Sequence, residues 1–128
     1  MNKYIIDSYA WIEYLDGSDS GLKVRDILLG DAELFTVSIS VAEVVSRTKR
    51  RRKDVDIAYN TIVRNSKIVD VTEELGREAG IQHAEIRAKI KDFGLADAII
   101  LTTARKLGAK VLTGDPHFKG FKEVVFIK

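Results

Sequence analysis

Five short runs rich in apolar residues, Lys3–Ile6, Leu34–Val37, Ile68–Val71, Val111–Thr113 and Val124–Ile127, alternate with segments whose apolar residues recur at helical spacing. That alternation constrains the chain more than any other feature. Parallel neighbours need crossover helices, and right-handed crossovers place those helices on both faces of the sheet. The expected fold is therefore α/β, a three-layer α/β/α sandwich around a central, mainly parallel sheet of about five strands. The spacing predicts helices from Tyr9 to Leu15, from Ser20 to Leu29, from Ser40 into the block Lys49–Lys53, from Asp54 through Val63, from a Thr72 cap to Ile90, and over Leu95–Leu107 with a stop at Gly108. At 128 residues the expected organisation is one domain over 1–128.

In parallel sheets of this kind ligands collect outside the carboxyl ends of the strands, where strand order reverses. Four acids from distant segments map to that edge. Asp7 ends the first strand, Glu43 falls in the first turn of the helix after the second, Asp97 in the first turn of the helix before the fourth, and Asp115 follows the fourth directly. Each also has a purely structural explanation. Asp7 is placed to cap a helix, Glu43 lies three residues after Ser40 in a capping-box pattern, Asp97 suits the helix dipole, and Asp115 precedes Pro116 in a turn. Capping does not require all four on one edge, however, and carboxylates a few ångströms apart repel by roughly 1 to 4 kcal/mol per pair. A cation relieves that repulsion. With no cysteine and only two histidines, thiolate zinc sites, iron–sulfur clusters and His-rich sites are excluded, leaving carboxylates as the abundant ligands. An all-oxygen site of this type suits Mg²⁺ or Mn²⁺ and the hydrolysis of a phosphate ester.

The segments Ile5-Ile6-Asp7-Ser8, Ile39-Ser40-Val41-Ala42-Glu43-Val44, Leu95-Ala96-Asp97-Ala98-Ile99-Ile100 and Val111-Leu112-Thr113-Gly114-Asp115 together resemble the PIN-domain family. The Thr-x-Asp pair and the Ala-Asp-Ala-x-Ile segment are similar to VapC-type toxins of toxin-antitoxin pairs. The resemblance spans essentially the whole chain. It implies a Mg²⁺- or Mn²⁺-dependent endoribonuclease with Asp7, Glu43, Asp97 and Asp115 as metal-binding acids, and with Thr113 and Ser8 holding those acids or a metal-bound water. It also implies a homodimer silenced by a small VapB-like antitoxin. The alternatives are a housekeeping PIN nuclease in RNA maturation and a non-catalytic RNA-binding module. Two other phosphate-handling α/β classes fit poorly: Asp7-Ser8-Tyr9 lacks the Asp-x-Asp of haloacid-dehalogenase-like phosphatases, and the acid pair of receiver domains is missing.

The basic block Lys49–Lys53 reads either as a solvated helix end or as a surface for RNA phosphates. His83 shares a helical stripe with Leu75, Ala79, Ile86 and Ile90 and is expected to pack. His117, two residues after Asp115, is within reach of the acidic edge but reads as an exposed loop histidine. No stretch approaches the ~18 apolar residues of a membrane span, and Asp7 interrupts the first apolar run too early for a signal peptide, so a cytoplasmic location is expected.

Overall fold

The computed structural model describes residues 2–128. Its elements run β1 (Lys3–Ile6), α1 (Ser8–Asp16), α2 (Asp19–Leu29), β2 (Glu33–Val37), α3 (Ser38–Arg50), α4 (Val55–Asn65), β3 (Lys67–Val69), α5 (Glu73–Arg87), α6 (Leu95–Leu107), β4 (Lys110–Thr113), a 3₁₀ turn (Pro116–Phe118) and β5 (Val124–Phe126). Every strand pairing is parallel, in the order β3-β2-β1-β4-β5. The chain therefore leaves β1 toward β2 on one side and returns to β4 on the other. The switch point lies between β1 and β4.

Side-chain alternation along the central strands feeds two separate cores. Ile5, Phe35, Val37 and Val111 pack with Ala98, Leu101 and Ala104 of α6 on one face. Ile6 and Leu112 pack with Trp11 of α1, Val24 of α2, Val44 of α3 and Ile62 of α4 on the other. Because β1 and β4 are covered on both sides, their sequences read as unbroken apolar runs, and this made them visible in the sequence. One polar residue interrupts the second core. Thr36 is fully buried, but its hydroxyl accepts from Trp11 Nε1 at 3.0 Å and lies 2.7 Å from Ser66 Oγ, so the oxygen is satisfied.

Helices α1 and α2 approach so closely at Gly21 that a Cβ there would overlap the Glu13 carbonyl and Tyr14 Cα, which are backbone atoms that cannot swing aside. Gly21→Ala is therefore expected to destabilise the fold by about 2 kcal/mol, read as a lower urea midpoint. An unchanged midpoint would mean that the two helices do not touch there.

Two boundaries differ from expectation with consequences for the site. Helix α3 begins at Ser38, not Ser40, because β2 passes into the helix with Val37 at its N-cap and no side chain capping it. Ser38 Oγ instead accepts from the Val71 amide at 3.3 Å, while Ser40 is fully buried inside the helix with its hydroxyl unpartnered. Helix α5 stops at Arg87, short of Ile90, where the amides of Lys89 and Ile90 both turn back to the Ile86 carbonyl. Among the described residues no helix is long and apolar enough to cross a membrane.

Candidate functional site

The β1–β4 pairing fixes the first half of the site. Asp7 continues the ladder past the end of β1, its amide donating to the Leu112 carbonyl at 3.1 Å, and its side chain is only 5% exposed. It occupies the N-cap position of α1, yet its carboxylate makes no capping hydrogen bond. Oδ2 instead accepts from Thr113 Oγ1 at 2.8 Å, across a sequence separation of 106 residues. The same hydroxyl accepts from the Asp115 amide at 3.0 Å. Thr113 thus ties the residue after β1 to the residue after β4. Between Thr113 and Asp115, Gly114 lies close against the Tyr9 side chain, where a Cβ would overlap Tyr9 Cε1 and Cδ1.

The other acids are held by their own local bonds. Asp97, third in α6, accepts the Gly94 amide on Oδ2 at 3.1 Å. Asp115 Oδ1 accepts the His117 amide at 2.9 Å in the turn before Pro116. The structural roles expected of these two are therefore realised. Those expected of Asp7 and Glu43 are not: Asp7 does not cap, and Glu43 is the sixth residue of α3, in its second turn. The capping-box explanation for Glu43 fails because Ser40 is not the N-cap.

Electrostatics links the four acids, since the charges of Glu43, Asp97 and Asp115 act on their neighbours. Burial pushes Asp7 up to about 7 against the pull of the Thr113 hydroxyl and the Ser8 amide, and the charges of Glu43 and Asp97 raise it further. Glu43, which stays exposed to solvent, is raised first by partial desolvation, opposed by the Ser8 hydroxyl, and then by Asp97 and Asp115. Asp97 is likewise raised by burial, opposed by the Gly94 amide, raised again by Asp115, and lowered by His117 and His83. Desolvation first, and then one another's charge, makes these three carboxyls resist ionisation.

His117 stands closer to the acids than its sequence position suggested. Its side chain is 44% exposed, as expected of a loop, but Nδ1 lies 3.0 Å from Asp115 Oδ1 and 3.9 Å from Asp97 Oδ2. One donor atom from each of Asp97, Asp115 and His117 falls within 4.8 Å of the others. The only signal in the sequence was the two-residue spacing from Asp115. His83 packs as anticipated, with Nε2 3.0 Å from the Phe93 carbonyl.

The basic block lies away from this edge. Helix α3 leaves the carboxyl end of β2, so Arg50 is about 10 Å further along the helix axis than Glu43. Arg47 and Arg51 reach back to Asp16 at 3.4 and 3.9 Å and line a cavity of about 210 Å³ with Ile12, Leu15 and Ile57.

Layer order, strand order and the acids at the switch point define a parallel α/β sandwich with a carboxylate-rich edge. The chain belongs to the PIN domain family, whose model matches residues 4–124. No curated protein matches the sequence. Among solved structures, a toxin-antitoxin complex from Klebsiella pneumoniae aligns with a TM-score of 0.77 at 18% identity, covering 98% of each chain. DNA-bound VapBC from Salmonella typhimurium aligns with a TM-score of 0.76 at 16% identity over the full length of both chains. A Sarcin-Ricin loop cleaving VapC toxin from Mycobacterium tuberculosis aligns with a TM-score of 0.75 at 20% identity, covering 94% of this chain and 98% of that one. These similarities are of fold.

Proposed function

We propose that the protein is a metal-dependent endoribonuclease, the VapC-type toxin of a toxin-antitoxin pair, hydrolysing phosphodiester bonds in RNA. The observation that carries this reading is the convergence of Asp7, Glu43, Asp97 and Asp115 at the switch point, with the first three shifted toward the protonated form by burial and mutual repulsion. The toxin-antitoxin assemblies with the same fold support the antitoxin half of the reading, a small VapB-like partner; a homodimeric toxin is part of the same proposal.

The donor set fits a hard dication. Carboxylate oxygens dominate it, their repulsion is relieved by positive charge, and the edge is open enough for water and a phosphate to enter, with Asp97 and Asp115 side chains 19% and 27% exposed. Asp7, Glu43, Asp97 and Asp115 would hold Mg²⁺ or Mn²⁺, which supplies a bound water of lowered pKa and neutralises charge growing on the phosphoryl oxygens. The protein's own part is to fix the ligands in advance. Thr113 orients the buried Asp7 carboxylate and, through the Asp115 amide, sets the spacing of the two strand-end acids. The Ser8 hydroxyl favours ionised Glu43, and the Gly94 amide does the same for Asp97. Ligands held this way need little reorganisation when the ion and substrate arrive.

Purified protein freed of antitoxin is expected to cut single-stranded RNA in Mg²⁺ or Mn²⁺ and to stop when EDTA is added. Cleavage that continues undiminished in the chelator would overturn the reading.

A further inference from the structure

We propose that His117 is itself a metal ligand, so that Asp97, Asp115 and His117 form a mixed nitrogen–oxygen donor set that biases this protein toward transition-metal dications over Mg²⁺. The inference rests on the metal-dependent reading above and goes beyond it, since that reading requires oxygen donors alone.

The imidazole is not on a loose loop. Pro116 fixes the backbone at the start of the 3₁₀ turn, and Phe118 at its end is fully buried. Phe118 packs edge-on against Phe93, with ring centroids 6.1 Å apart. Phe93 is also fully buried, and its carbonyl is bonded to His83. The next residue, Gly94, donates the amide that holds Asp97. One aromatic contact therefore sets the distance between the segment carrying His117 and the segment carrying Asp97.

Donor spacing is also suitable. Two adjacent ligands about 2.1 Å from an octahedral ion lie about 3 Å from each other. His117 Nδ1 and Asp115 Oδ1 are 3.0 Å apart, while the 3.9 Å to Asp97 Oδ2 needs only a small closing movement. Nδ1 offers its lone pair to an ion in the tautomer that carries the hydrogen on Nε2, which the exposed side chain can present to water. Imidazole nitrogen favours first-row transition metals, whereas carboxylate and water alone suit Mg²⁺ and Mn²⁺ alike. The position thus adds selectivity to a site that would otherwise take either ion.

The test uses Mn²⁺ as probe on the full chain without antitoxin. Pulsed electron paramagnetic resonance of the bound ion is expected to show coupling to a directly coordinated ¹⁴N, retained in His83→Gln and lost in His117→Asn. Competition between the two ions should show the Mn²⁺ over Mg²⁺ preference of His117→Asn reduced about tenfold, the low end of losses seen when a group supporting a metal site is removed. Bound Mn²⁺ without nitrogen coupling, together with an unchanged preference in the variant, overturns the inference and leaves the carboxylate site standing. Failure of the wild-type chain to bind Mn²⁺, or binding unaffected by Asp7→Asn and Asp97→Asn alike, overturns the metal-dependent reading and this inference with it. The nitrogen signal is read on wild-type protein, so the result does not depend on how the variant folds.

Discussion

Asp7→Asn and Asp97→Asn should each slow RNA cleavage at least ~100-fold, corresponding to about 2.7 kcal/mol of lost transition-state stabilisation. Asparagine keeps the shape of the side chain and one carbonyl oxygen. In Asp7→Asn that oxygen still accepts from Thr113 Oγ1, and in Asp97→Asn it still accepts from the Gly94 amide, so the two local bonds survive the substitution. What disappears is the negative charge. If the acids serve to bind and position a cation, turnover falls although circular dichroism and the melting transition report a folded protein. If Asp97 is only a helix-start residue, activity persists, and a variant retaining half the wild-type rate removes that residue from the site. Measuring kcat and KM separately adds a further distinction. Loss concentrated in kcat locates the charge in the chemical step, while a rise in KM alone locates it in substrate binding.

Much of this arrangement could be read from the residues because the strands that carry it are buried on both faces. Ile5-Ile6 before Asp7 and Val111-Leu112 before Thr113 face opposite cores, so no polar alternation obscures where the strands end and the edge begins. Helix-period segments between them implied parallel order, and parallel order put the acids on one edge. The details that failed are those decided by long-range contacts. Ser40 reads as a cap in sequence, but the helix starts at Ser38 with Val37 at its N-cap, and Ser40 is buried inside it. The 3₁₀ turn after Asp115 escaped notice because three residues carry no periodicity. Whether His117 faced solvent or the acids depended on Phe118 finding Phe93 in a different segment, a contact that no local pattern encodes. Glu43 was expected in the first turn of its helix but lies in the second, where the charges of Asp97 and Asp115 still act on it.

Asp7 also makes the metal-free fold sensitive to pH in a direction opposite to that of most paired carboxylates. Below its ordinary value of 3.8 the side chain is neutral in both folded and unfolded chains. Between there and about 7 the unfolded chain releases the proton while the fold retains it. Stability contributed by this proton is therefore fully present in acid and is lost as pH rises through the folded value. A rise from 3.8 to about 7 corresponds to a loss on the order of 4 kcal/mol, a large share of the stability of a domain this size. Asp7→Asn is a permanent mimic of the neutral form, so its stability relative to wild type should grow from near zero at about pH 4 to several kcal/mol at about pH 8 in EDTA, measured by urea unfolding. Taking the difference between the two proteins cancels the titration of every other group, including carboxylates whose protonation weakens the fold in acid. Metal should narrow the gap: at ~100 times its dissociation constant a bound ion adds about 2.7 kcal/mol, and it should do so for wild type at about pH 8 but far less for Asp7→Asn. Parallel pH curves for the two proteins in EDTA would mean that Asp7 ionises in the fold as readily as in water, and the burial of its carboxylate would then lose its electrostatic consequence.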